Sequence, residues 1–401
     1  MKKNIILRAL YDFANSLVMI IFLFYFSQRL VIDQGVAEIW YNVSLIAASG
    51  IFILISPYLS KLVDQGANKI HWLRFRTIVA VILFAIVWSM TLWTPEYTIF
   101  ITILYAVAMG CYLLCFVYYT PMLNDLATHE NHAQVSGRGQ GVNSFGQVMW
   151  LLVSIPIING AIPFLDASRA GTLLPAAALF LVFSLPMLLR YNAPVRKIDM
   201  SIKVHNIRLS MKALFGYGSI VTFLIWYFLY SDALLTFANN YPLYLEKVHA
   251  VADTSKSLLT ALILLGASIS AFCTGKLADR IGLKKSLMRL LGARCVVFPI
   301  FAFIKWFAAL AVMSVLAGLI YGPTRSVSRA LFSRIVPAHL TARWFSYFTI
   351  AERFATFIWP LIRWSIVTWL GGEILGYKRA LISMSILVFV GRWVSRKIEN
   401  V

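Results

Sequence analysis

Apolar runs of about 20 residues recur twelve times along this chain, and that repeat governs what it can fold into. A helix rises 1.5 Å per residue, so runs of this length match the ~30 Å hydrocarbon layer of a bilayer. They fall near 9–31, 37–59, 77–94, 97–123, 139–164, 172–191, 213–244, 256–275, 286–305, 307–332, 343–369 and 379–395. Soluble domains are about one-quarter charged. Here 13% of residues are charged and 60% hydrophobic, too little polar surface to coat a water-soluble core. The expectation is an all-α polytopic membrane protein. The first run lacks a small-residue cleavage site and is followed by more spans, so it reads as a span and not a leader.

The net charge of +20 raises nucleic acid as a partner, but the placement of the charge argues against it. With the N-terminus inside, 25 Lys and Arg fall in cytoplasmic segments and 7 on the opposite side, with Arg294, Arg325, Arg353 and Arg363 inside spans. That asymmetry follows the positive-inside rule and predicts both termini in the cytoplasm. Cys111, Cys115, Cys273 and Cys295 all lie in or beside apolar runs with no metal-site or redox spacing, so they read as small buried hydrophobes. No metal or other cofactor is expected. The longest interior hydrophilic stretch is 192–212, and it divides the spans six and six. This predicts an N-terminal bundle (1–191), a cytoplasmic linker (192–212) and a C-terminal bundle (213–401), the plan of a transporter built from two related halves.

The eighth span ends in GKLADRIGLKK, residues 275–285. Gly275 and Gly282 suit a tight turn, Asp279 can cap a helix N-terminus, and Arg280, Lys284 and Lys285 suit headgroups. The string resembles the signature loop of the major facilitator superfamily. Its first-half counterpart, SKLVDQGANK at 60–69, keeps Asp64 and Gly66 but has Ser60 at the leading glycine. The resemblance implies that Asp64, Asp279 and Arg280 act in gating. A narrower likeness rests on LYDFANS (10–16), YYTPMLNDLA (118–127), SGRGQGVNSFGQ (136–147), FLYSDALLTFANNY (228–241), SRALFSRIVP (328–337) and ARWFSYF (342–348). These resemble the recurring strings of the vacuolar amino-acid effluxer-like group, named for a yeast vacuolar member linked to autophagy. Asn124 stands where that group often has proline. The likeness implies twelve spans in two pseudo-symmetric six-helix bundles, and amino-acid efflux as the model for substrate class.

Polar residues inside spans are costly and mark function. In a carrier of this plan, spans 1, 4, 7 and 10 line the central cavity. Asp12, with Asn15 one turn on, reads either as an interfacial acid near the helix start or as a cavity acid that pairs with a cation of the other half. Asp232 sits near the middle of span 7 and suits amine binding, proton coupling or a buried ion pair. Asn239 and Asn240 precede Pro242, where backbone groups are freed for a ligand, and Tyr230 belongs to an aromatic cluster on the same span. Arg325, beyond a break expected at Gly322 and Pro323, suits a substrate carboxylate or snorkelling to headgroups. Glu352 and Arg353 are adjacent and so point about 100° apart; Arg294 is the expected partner of Glu352 in a structural ion pair. Asp125 and Arg138 suggest a salt-bridged gate. No phosphate-cradling loop and no nucleophile–base constellation occur, so neither ATP hydrolysis nor enzyme chemistry is expected. The reading is a monomeric secondary transporter of the bacterial inner membrane. It moves small solutes, amino acids or related metabolites, by alternating access, with protons as a candidate coupling ion. A drug or siderophore exporter is the alternative.

Overall fold

The structure, a computed structural model, describes residues 2–126, 131–191, 218–337, 340–352 and 373–394. Among them every regular element is helical. Nine helices there are long and apolar enough to cross a membrane, and two shorter apolar helical stretches, Gly218–Ser231 and Leu381–Trp393, accompany them. In chain order the helices are α1 (Lys2–Ile20, continued to Asp33), α2 (Glu38–Asp64), α3 (Lys69–Trp93), α4 (Thr98–Tyr119, continued to Leu126), α5 (His132–Ile158) and α6 (Leu173–Arg190). There follow α7 (Gly218–His249), α8 (Asp253–Ile281), α9 (Leu283–Phe303), α10 (Phe307–Ile335), α11 (described over 341–352) and α12 (Glu373–Val394).

Most helices outrun their apolar runs because polar residues extend the helix past the hydrocarbon. Thus α5 starts at His132, seven residues before the apolar run, and α8 runs six residues past it to Ile281. The fifth span ends earlier than its sequence suggests. Pro156 lies in the last turn, and Gly160 at φ +72° takes the left-handed conformation that stops the helix. The break expected at Gly322 and Pro323 does not form: α10 runs through both. There Gly322 lets the Ala267 carbonyl of α8 approach.

Two hydrophobic clusters account for the packing. One draws almost wholly on α1–α6, with Phe22, Phe84, Tyr112 and Phe180 fully buried; the other on α7–α12, with Phe223, Trp226, Phe301 and Phe332. Between them α5 packs on α1 of its own side and on α8 and α10 of the other. Its glycines permit this. A Cβ on Gly137 would lie 2.6 Å from the Ala271 carbonyl oxygen, and one on Gly275 would lie 2.7 Å from that of Ala133. Small residues one turn apart on both helices let the backbones touch, a common association mode in lipid.

The first helix is held by a ladder that sets up the site. Tyr105, Tyr112 and Tyr119 recur every seven residues on α4. Their hydroxyls donate to the carbonyls of Phe22 (2.8 Å), Asn15 (3.3 Å) and Arg8 (3.2 Å), which recur every seven residues on α1. A seven-residue period keeps one face of a helix on its neighbour, and each buried phenol finds its acceptor. Beyond Ile20 the helix loosens into π turns at Ile21–Tyr25 and Arg29–Asp33. The π turn shifts the backbone ladder, and Tyr41 donates to the Leu23 carbonyl at 3.1 Å there.

Candidate functional site: a charged cavity between the halves

A polar cavity, partly open to solvent, lies where α1, α4 and α5 face α10 and α11. Its lining is polar: Asp12, Asn15, Tyr119, Gln140, Asn143, Gln147, Arg325, Arg329 and Glu352 all contribute. Both halves therefore supply charge to one space.

Asp12 lies ten residues into α1, about 15 Å along it, and is 6% exposed. Its carboxylate rests against the Cα of Gly139, where any side chain would collide with it, so the glycine makes the seat. Arg8, one turn earlier, is 2% exposed and reaches Asp12 Oδ2 at 3.9 Å, a loose ion pair. Its guanidinium also sits 4.9 Å over the ring of Tyr119. Asn15 is 2% exposed, and neither its amide nitrogen nor its amide oxygen finds a hydrogen-bond partner. From α5, Asn143 donates to the Asp12 carbonyl at 2.8 Å and accepts from Gln147 at 2.8 Å.

Across the cavity Arg325 donates through Nη2 to Glu352 Oε1 at 2.7 Å and through Nη1 to the Tyr321 hydroxyl at 3.3 Å. This corrects the expected pairing of Glu352 with Arg294. Arg294 is 2% exposed within the C-terminal half, stacks 5.3 Å over Phe298, and leaves Nη1 without a hydrogen bond. Depth along the membrane does not fix azimuth; α10, not α9, turns its cation to α11. Tyr230 is fully buried and donates to Ser328 at 2.5 Å, packed against Trp226 and Tyr227. Arg353 lies outside the described residues. Asp232, Asn239 and Asn240 fall on α7, and their side chains also lie outside the description.

Two inward-facing cations count with the cytoplasmic segments in the sequence. Arg8 and Arg329 lie near the ends of apolar runs, yet both face inward. For Arg329 a signal existed: it stands four residues after Arg325, so the two share one helix face. The amides of α5 were also missed, because their helix is glycine-rich and carries no contrasting charge.

At the end of the bundle where α1 begins, the halves are tied together. Asp64, closing α2, accepts from the backbone N–H groups of Ala342 (2.9 Å) and Arg343 (3.0 Å), which open α11. Asp279, near the end of α8, accepts from those of Ala133 (3.3 Å) and Gln134 (3.0 Å) at the start of α5, and from Arg334 Nη2 at 2.9 Å. Each carboxylate meets the positive end of a helix in the opposite half. Ser136 donates to the Ser326 carbonyl at 3.0 Å, and Ser333 meets Asn124. Asp125 pairs with Lys69 at 2.6 Å. Arg138, its expected partner, is exposed and makes no ion pair among the described residues; it points about 100° away from the neighbouring Gly137. Arg280 is exposed. At the other end Tyr25 approaches Ser257 at 3.5 Å, and Asp33 links Arg29 (3.5 Å) with Arg169.

Residues 37–395 match the family model described as vacuole effluxer Atg22-like. The chain belongs to that family. A Bacillus subtilis relative of the Atg22-like chain, the uncharacterized MFS-type transporter YxiO, is 24% identical over 407 residues, covering 95% of this chain and 91% of its own. Solved structures share the fold. A bacterial homologue of the iron transporter ferroportin in an outward-facing state has a TM-score of 0.73 at 16% identity, over 99% of this chain and 98% of that one. The E. coli fucose:proton symporter FucP scores 0.71 at 15%, over 100% and 98%. The proton:xylose symporter XylE scores 0.71 at 13%, over 99% and 96%. This Atg22-like protein is thus an all-α integral membrane transporter of the major facilitator fold, and not an enzyme.

Proposed function

We propose that this Atg22-like protein is an alternating-access secondary carrier for small charged or zwitterionic solutes, amino acids or related metabolites, in the bacterial inner membrane. One observation carries this reading: a cavity at the seam of the two halves, lined by acids, guanidinium groups and amides from both. Rocking of one half on the other would expose such a site to each side in turn. The tied end, with Asp64, Asp279 and Asp125 as gate residues, is read as cytoplasmic from the distribution of Lys and Arg, with both termini on that side. Residues 1–191 and 213–401 would then move as two bodies about the linker 192–212, in a monomer.

Within the site, Asp12 and Asn15 from α1 and Arg325 from α10 are read as solute or coupling groups, and Asp232, Asn239 and Asn240 on α7 keep that role as a hypothesis. Proton coupling is included because acids in the membrane interior can exchange protons with a gradient; one charge across 100 mV is worth about 2.3 kcal/mol. The exporter alternative asks for a wide apolar cavity, and the charged lining weighs against it for drug-like hydrophobes.

The test is uptake of a labelled amino-acid mixture into proteoliposomes, with and without an imposed pH gradient, for wild type and Asp232→Asn. Uptake that needs the gradient and is lost in the variant supports a proton-coupled amino-acid carrier. Absence of uptake by wild type under every gradient removes amino acids as substrates. Unchanged uptake in Asp232→Asn removes that residue from the mechanism.

A further inference from the structure

Two guanidinium groups and two carboxylates line the cavity among the described side chains, Arg325 and Arg329 against Asp12 and Glu352, with Arg8 behind Asp12. Neither acid forms an ion pair with Arg329: Glu352 is bound to Arg325 at 2.7 Å, and Asp12 Oδ2 lies 3.9 Å from Arg8 without a hydrogen bond of its own. Arg329 makes no ion pair among the described residues. Two cations, Arg325 and Arg8, and two anions, Asp12 and Glu352, act on it at longer range. Arg325 and Arg329 stand one turn apart on α10, an arrangement that costs energy by like-charge repulsion. A partly buried guanidinium with no ion pair, lining a polar cavity, is suited to take an anion.

A second observation points to the same place. Asn15, on the opposite wall, is 2% exposed with both amide atoms unsatisfied. Buried polar atoms are nearly always partnered, and leaving one without a partner is costly. An unpartnered amide lining a cavity is therefore matched to something that enters it.

We propose that Arg329 anchors the carboxylate end of the transported solute, with the Asn15 amide as its partner from the other half. This rests on the carrier reading above. A single planar guanidinium takes a carboxylate through two parallel hydrogen bonds, and it balances one negative charge. The Asn15 nitrogen donates to the same group from α1, so a bound solute bridges the halves. Arg325, the group expected from the sequence, is the poorer anchor: taking a ligand there would strip Glu352 of its partner inside the bundle.

The experiment uses three compounds with one carbon skeleton: L-valine, 3-methylbutanoate, which lacks the amine, and isobutylamine, which lacks the carboxylate. Binding to the purified full-length carrier is measured by calorimetry for wild type, Arg329→Gln and Arg329→Lys. The expected result is binding of the two carboxylates and none of the amine. Arg329→Gln should weaken both at least tenfold and Arg329→Lys should weaken them less. Arg329→Gln should melt at or above the wild-type temperature, since it removes an unmatched charge, so lost binding cannot be ascribed to misfolding. Equal affinity for 3-methylbutanoate and valine identifies a plain monocarboxylate site; tighter valine binding identifies an amino-acid site. Wild-type affinity in Arg329→Gln overturns the assignment, and so does a wild-type protein that binds the amine alone or none of the three. The two readings fail separately. Arg329-dependent binding without uptake in proteoliposomes defeats the carrier and keeps the anchor, whereas undiminished uptake in Arg329→Gln defeats the anchor and keeps the carrier.

Discussion

Asp64 and Asp279 close related loops in the two halves, and each caps a helix of the other half, but their hydrogen-bond partners differ. Asp64 takes two backbone donors of α11. Asp279 takes two of α5 and the Arg334 guanidinium as well. The residue four before each acid differs in the same direction. Gly275 sits so close to α5 that a Cβ would lie 2.7 Å from the Ala133 carbonyl oxygen. Ser60 has room for its side chain, which is buried and turns back to its own helix, donating to the Pro57 carbonyl at 3.0 Å. On the α5–α8 side the backbones touch, so the loop string must keep glycine. The α2–α11 side tolerates serine, and the motif there is accordingly thinner. A degenerate motif is here the trace of a looser contact, with the acid retained because capping depends on it.

Exchanging the leading residues breaks the comparison most sharply. Gly275→Ser forces side-chain atoms into backbone atoms, which cannot step aside as a flexible side chain would. Overpacking of this kind costs about 1–3 kcal/mol or more. The variant should hold the tied end open, seen as a longer distance between spin labels placed on α5 and α8. An unchanged distance would mean the close approach is not needed.

Removing the acids comes next. Asp279→Ala should destabilise the closed end by roughly 2–3 kcal/mol, because it strips two donors and leaves Arg334 without its acceptor. Asp64→Ala should cost less, about 1–2 kcal/mol. Thermal melting in detergent together with the same label distances checks the order; a larger effect at Asp64 reverses the comparison.

Arg334→Gln tests whether the third contact makes the difference. It should bring the Asp279 side down to the level of the Asp64 side, a loss of about 1 kcal/mol for a partly buried pair. If melting then shows Asp279→Ala as costly in this background as in wild type, the guanidinium is not what separates the two sides.

The smallest effect belongs to the reciprocal exchange. Ser60→Gly removes only a local hydrogen bond and adds backbone freedom, about 0.5–1 kcal/mol. Its label distances should match wild type. A shift as large as that of Gly275→Ser would show that the two sides share one packing rule.

Much of the fold was legible in the chain. Twelve apolar runs, the alternation of basic loops and the hydrophilic stretch after residue 191 follow from what lipid accepts, and lipid acts on each segment by itself. Asp12, Asn15, Arg325 and Glu352 stood out for the same reason: a polar group in hydrocarbon is conspicuous wherever its helix packs. The Asp279 cap was readable from its loop, since an acid beside glycine turns suits a helix terminus.

The rest depended on which helix faces which. Glu352 pairs with Arg325 and not Arg294, and Asp125 with Lys69 and not Arg138, because a partner is chosen by azimuth as well as depth, and azimuth is set by packing. Arg8 counted with the cytoplasmic segments because its helix begins before the first apolar run, and Arg329 because it stands near the end of the tenth. The tyrosine ladder of α4 on α1 was invisible until both seven-residue periods were seen side by side. The sequence by itself determined that this chain spans a membrane many times, which residues pay for being inside it, and which acids end its loops, because the solvent judges each segment alone. Only the tertiary structure decided which charges neutralise each other, because partners such as Arg325 and Glu352 sit on separate helices whose facing sides are set by packing.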